Sequence, residues 1–100
     1  DLDAAWEARK AAAKGRTSSL DGIAYSLSSV ARSAKVISRA RTRGVGVKLA
    51  DEPITAAETG DQLVTLIARA QASGVDADQA LRDRLRDLED EIRKAECRTD

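Results

Sequence analysis

Between Leu81 and Ala95 one pattern repeats: Leu81, Leu85, Leu88, Ile92 and Ala95 follow one another in alternating steps of four and three. On an α-helix those steps return every side chain to one stripe, the apolar seam along which two helices interdigitate. A stripe of about two heptads is too short for an independent coiled coil, so it predicts a bundle helix or a dimer contact. Asp76 and Gln79 have the spacing of a capping box at its start, and the helix is expected to reach about Cys97. Glu89 with Arg93 and Asp90 with Lys94 are expected as i,i+4 pairs on the exposed side, each contributing about 0.3 kcal/mol.

The rest of the chain fits the same helical economy. Aromatic residues make up 2% of the sequence and Pro53 is the single proline, so strand formers and helix breakers are both scarce. Three further helices are predicted. The first covers about 2–14 and ends at Gly15; its main contact residues are Leu2, Ala5 and Trp6, a thin apolar side that needs support from elsewhere. The second runs from Ser26, an N-cap type, to Arg43 with Gly44 closing it. Leu27, Val30, Ala34, Ile37 and Ala40 mark its apolar side, and Arg32, Lys35, Arg39 and Arg43 its solvated side. The third starts near Thr55 and stops before Gly74, while the stretch GVGVKLADEPI ahead of it reads as a connector.

Composition narrows the chemistry. The 100 residues contain one Cys, no His and no Met; zinc sites, disulfides within the chain and His-dependent nucleophiles fall away. With no Met the chain is expected to be a piece of a longer protein, and with neither a membrane-length apolar run nor a signal segment the expected location is the cytoplasm. Carboxylates are the only metal ligands left, which suits Mg or Mn. Residues 1–50 carry 10 Lys and Arg against 4 Asp and Glu, and residues 51–100 carry 7 against 13. Halves of opposite sign fit packing of one on the other, pairing in a dimer, or a nucleic-acid face; without an aromatic stacking platform the last is the weakest reading.

Three blocks carry a resemblance. WEARKAAAKGRTSSLDGIA, SLSSVARSAKVISRARTRG and ETGDQLVTLIARAQASGVDADQAL together resemble, in the same order, segments of the MazG family of nucleoside triphosphate pyrophosphohydrolases. The second block is similar at Leu27, Arg32, Lys35, Arg39, Ala40 and Gly44. The resemblance implies an all-α, dimeric, MazG-like helical bundle, here of about four helices, in an enzyme that uses Mg or Mn to split an NTP into NMP and pyrophosphate.

It also implies a metal shell of four carboxylates, drawn from an EExxE helix and an ExxD helix. Glu58 and Asp61 fall on the ExxD positions. Where the other helix should lie there are only about ten connector residues, too few for a helix and its turns, with Asp51 and Glu52 adjacent rather than one turn apart. The family's NxKF run is matched by Leu85, Asp87 and Leu88, so Asp stands where a phosphate-binding Lys belongs. Independently of the resemblance, Thr55 and Glu58 have capping-box spacing and Asp61 gains from the helix dipole.

Trp6 and Lys10, one turn apart, are suited either to stacking on a base and reaching a phosphate or to anchoring a thin helix. A similar W-and-K tail follows the catalytic core in family members. The expected organisation is therefore an N-terminal helix and linker over 1–22, the possible tail of a preceding MazG domain, followed by a degenerate MazG-like domain over 23–100. Its expected role is non-catalytic dimerisation and support, with Leu81, Leu85, Leu88 and Ile92 as the dimer or bundle seam. The expected partners are a second copy, the N-terminal MazG domain and, through the parent enzyme, the NTP. The alternatives are an active hydrolase whose metal site is completed across a dimer, and a helical interaction or nucleic-acid-binding module.

Overall fold

The computed structural model describes residues 18–98, which form turns and three α-helices: α1 (Ser29–Thr42), α2 (Ala56–Ala72) and α3 (Ala77–Arg98). No strand occurs among the described residues. The helix expected over 2–14, with Trp6 and Lys10, lies outside them.

Local chemistry sets each boundary. α1 is capped by Ser28, whose hydroxyl accepts from the Ala31 N–H, so the cap falls two residues after the expected Ser26. α2 is capped by Thr55, whose Oγ1 accepts the Glu58 N–H at 3.1 Å, and α3 by Asp76, which accepts the Gln79 N–H at 3.0 Å. The Gln79 side chain does not return to complete the box; its amide donates to Asp83 instead. α1 and α2 both end in a Schellman motif. Gly44 and Gly74 adopt φ of 65° and 72°, and the next residues, Val45 and Val75, donate back to the carbonyls of Ala40 and Ala70. A side chain at either glycine would be strained at that φ.

The core lies between α1 and α3. Val36, Ala40 and Ile92 are fully buried, with Leu85, Leu88 and Ala95 close to it, so the seam of α3 packs inside this chain. Leu81 is half-buried at the upper end. Leu20 and Ile23, from the turns ahead of α1, close one side of the cluster, and Val45, Val47 and Leu49 of the connector lean against it.

The packed side of α1 coincides only in part with the expected one. Leu27, Ile37 and Ala40 pack in or against the core, but Val30 and Ala34 are exposed and Ser29 and Val36 are buried in their place. Arg32 turns to the same interface, where it meets Glu89. Glu89 is itself buried rather than on the exposed side of α3, and its contact with Arg93 is long, at 3.9 Å. Arg39 is likewise engaged, donating to the carbonyls of Ser19 at 3.1 Å and Asp21 at 3.3 Å. The basic side of α1 is thus partly consumed within the fold, and Arg32–Glu89 joins the positive half to the negative half.

α2 stands apart. None of its residues is buried, and only Ala70, near the turn into α3, is half-buried. Leu63, Val64, Leu66 and Ile67 are all exposed. The Cα radius of gyration is 16.0 Å, against about 13 Å for a compact domain of this length.

Candidate functional site

α2 carries the two carboxylates singled out in the sequence. Glu58 lies in its first turn, and its carboxylate accepts from the Thr55 hydroxyl at 3.1 Å while its N–H donates to the same oxygen. The pair therefore closes on itself as a cap. Asp61 follows in the next turn, exposed. On a wheel of 100° per residue the two carboxylates are about 60° apart, Asp61 bordering Val64 and Ala68 and Glu58 nearer Gln62 and Arg69. Asp51 and Glu52 are exposed in the connector. Among the described residues no three His, Cys, Asp or Glu side chains converge to hold a metal ion, so Glu58 and Asp61 have no third carboxylate beside them.

The apolar part of α2 is more extensive than the carboxylate pair. Leu66, Ala70, Leu63, Ile67, Val64 and Ala68 cover an arc of about 200°, and Ile54 and Val75 extend it beyond both ends. Gly60 lies within that arc, and a Cβ added there would meet nothing within 4 Å. A glycine inside a helix costs about 1 kcal/mol relative to alanine, and nothing among the described residues approaches closely enough to require it.

The remaining polar constellations join α1 to α3. Asp78 accepts from the Ser29 hydroxyl and from Arg82 Nε at 2.8 Å; the Ser29 bond first, and Arg82 second, hold its carboxyl below the usual range. Because α1 has no acidic residue in its first turn, Asp78 supplies the negative charge that a helix N-terminus favours. Deeper in, the Arg32–Glu89 pair has side chains only 13% and 7% exposed. Truncating one partner of such a pair strands the other charge. Arg32 Nε is buried with no hydrogen-bond partner among the described residues, and the guanidinium stacks 4.7 Å from the centre of the Tyr25 ring.

At the far end, Glu96 accepts the Ser18 hydroxyl at 2.7 Å and the Ser19 N–H at 2.8 Å. Burial pushes this carboxyl upward, but the Ser19 and Ser18 bonds, aided by the charge of Arg43, outweigh it and leave the group below its ordinary value. Cys97 is free and exposed. Between Ser29 and Glu89 a groove of about 370 Å³ opens, lined by Arg32, Arg82 and Arg86 together with Leu27 and Leu85. Of these features sequence reasoning found the Thr55 and Asp76 caps and the α3 seam. It missed Glu89 and Glu96, whose partners lie 57 and 77 residues away.

The chain is similar to a protein of Streptomyces cacaoi described as an uncharacterized 26.1 kDa protein in the blaB 3'region, with 36% identity over 97 residues. The match takes in 96% of this chain and 39% of that protein, so the chain spans about two fifths of the relative's length. No family model matches the chain, and no solved structure matches it. Among the described residues no helix is long and apolar enough to cross a membrane.

Proposed function

We propose that this chain is a MazG-like helical domain, C-terminal in a cytoplasmic NTP pyrophosphohydrolase, that serves dimerisation and support of a separate catalytic domain. The observation that carries the reading is α2: its apolar arc is uncovered, and Gly60 lies in that arc with open space before it. A second helix packed there buries the arc and makes use of the glycine, since removal of Cβ lets two backbones approach closely. The α3 seam is occupied by α1 and the turns before it, so the partner surface belongs on α2 and not on Leu85, Leu88 and Ile92.

The resemblance of the three sequence blocks supplies the NTP substrate and the Mg or Mn of the parent enzyme. Two carboxylates leave a divalent ion largely hydrated, which supports assigning the chemistry to the preceding domain. A second reading rests on one specific point: Asp61 borders the uncovered arc, so a chain docking on α2 would bring its own carboxylates beside it and complete a shell across the dimer, with Glu58 about 60° further round the helix. Nucleic-acid binding is not favoured, because Arg32, Arg39 and Arg41 of α1 are engaged by Glu89, by the Ser19 and Asp21 carbonyls and by the Ala50 carbonyl.

Two measurements on the 100-residue chain separate these. Light scattering is expected to give twice the chain mass, and Ile67→Asp the single mass with unchanged helicity; a monomeric wild type overturns the dimerisation role. With Mg or Mn and a panel of NTPs no pyrophosphate release is expected. Release abolished by Asp61→Ala would replace the supporting role by the shared-site hydrolase.

A further inference from the structure

We propose that the groove between the start of α1 and the first turns of α3 binds a small phosphate monoester with an apolar body, the phosphate held by Arg82 and Arg86 and the body resting on Leu27 and Leu85. The groove holds about 370 Å³, within the range of small-ligand sites. Its lining carries three Arg side chains against the single carboxylate of Glu89, and that carboxylate is already committed to Arg32.

Arg82 and Arg86 are four residues apart on α3 and so project side by side from one face. Each is held by an exposed carboxylate, Asp78 at 2.8 Å and Asp83 at 2.7 Å. Exposed pairs of this kind contribute little and are readily exchanged. A phosphate monoester offers two charges and three acceptor oxygens, enough for two guanidinium forks at once, whereas a single carboxylate satisfies one fork. Arg32, also in the lining, leaves its buried Nε donor without an acceptor among the described residues. Leu27, half-buried, and Leu85, buried, belong to the same lining, apolar surface that suits a hydrocarbon or aromatic body and that inorganic phosphate does not use.

This site stands independently of the pyrophosphohydrolase reading. Its test is a titration of the 100-residue chain with phenyl phosphate, followed by amide chemical shifts, with inorganic phosphate and an oligoglutamate peptide as separate arms. Saturable shifts are expected at Leu27, Arg82, Leu85 and Arg86, with inorganic phosphate about tenfold weaker because it leaves the apolar lining bare. Arg82→Gln and Arg86→Gln are each expected to weaken phenyl phosphate about tenfold, with thermal melting unchanged because both side chains are exposed. Shifts scattered over the basic surface, equal affinity for both phosphates, or indifference to the two substitutions would overturn the site. Saturation by the peptide alone would assign the groove to acidic polypeptide instead.

Discussion

Ile92 and Ile67 lie on neighbouring helices of one chain in opposite surroundings. Ile92 on α3 is fully buried against α1 and the turns ahead of it; Ile67 on α2 is 53% exposed, with Leu63, Val64 and Leu66 exposed around it. The difference runs against the strength of the sequence pattern. The α3 stripe has the sharp four-three spacing of an intermolecular seam, yet it is used up inside the chain. The blurred, wide arc of α2 is the one left over, and an arc of about 200° exceeds what one neighbouring helix covers. Narrow stripes serve one contact; wide ones need several, and α2 has only the turn into α3.

Replacing Ile92 by Ala gives the largest effect on this comparison. The site is enclosed on every side, so the lost methylenes leave a cavity, and the expected destabilisation is about 2–5 kcal/mol. Urea unfolding at constant m-value measures it. A cost below about 0.5 kcal/mol, the range of surface substitutions, would mean that the α1–α3 pair is no more closed than α2.

The features legible in the sequence are those set within one helical turn or by one stripe. Ser, Thr and Asp caps, glycines after helix ends and the α3 periodicity all belong to that class, and the all-helical class followed from them. The orientation of α1 was legible only in part: Leu27, Ile37 and Ala40 pack on the core as expected, but Val30 and Ala34 do not, and the inward Arg32 has no local signal. An i,i+4 template assigns Glu89 to Arg93, and only the third dimension brings Arg32 closer. The uncovered state of α2 was equally hidden: Leu63, Val64, Leu66 and Ile67 read as core in any helix, and which helices find partners is a tertiary fact. Glu58 and Asp61 were legible as a cap and a spacing, but whether two carboxylates form part of a metal shell depends on groups outside the helix that carries them.

A smaller effect is expected at the clasp that ties the turns before α1 to the end of α3. Glu96 has its folded pKa below its ordinary value of about 4.5, so its ionised form stabilises the fold. That stability is complete above 4.5 and is lost as pH falls through the folded value. Glu96→Gln keeps the shape but weakens two bonds to a charged acceptor, at an expected cost of about 1–2 kcal/mol at neutral pH. The gap between the wild type and this variant should shrink as unfolding is measured at successively lower pH below 4.5. A gap that stayed constant would mean that the Ser18 and Ser19 bonds hold without the charge.

The smallest effect belongs to Ile67→Ala, and there the comparison is most sharply tested. In a dilute monomer Ile67 is 53% exposed, and Ala is the better helix former, so the change in stability should stay within about 0.5 kcal/mol. If a second copy packs on α2, association stabilises the folded state by mass action, and the wild-type melting point rises with protein concentration. Ile67→Ala should flatten that rise while leaving the dilute limit nearly where it was, because the substitution removes more contact area from the dimer than from the monomer. A loss of about 2 kcal/mol or more at every concentration would place Ile67 in a core within the chain, and the distinction between α2 and the α1–α3 pair would disappear.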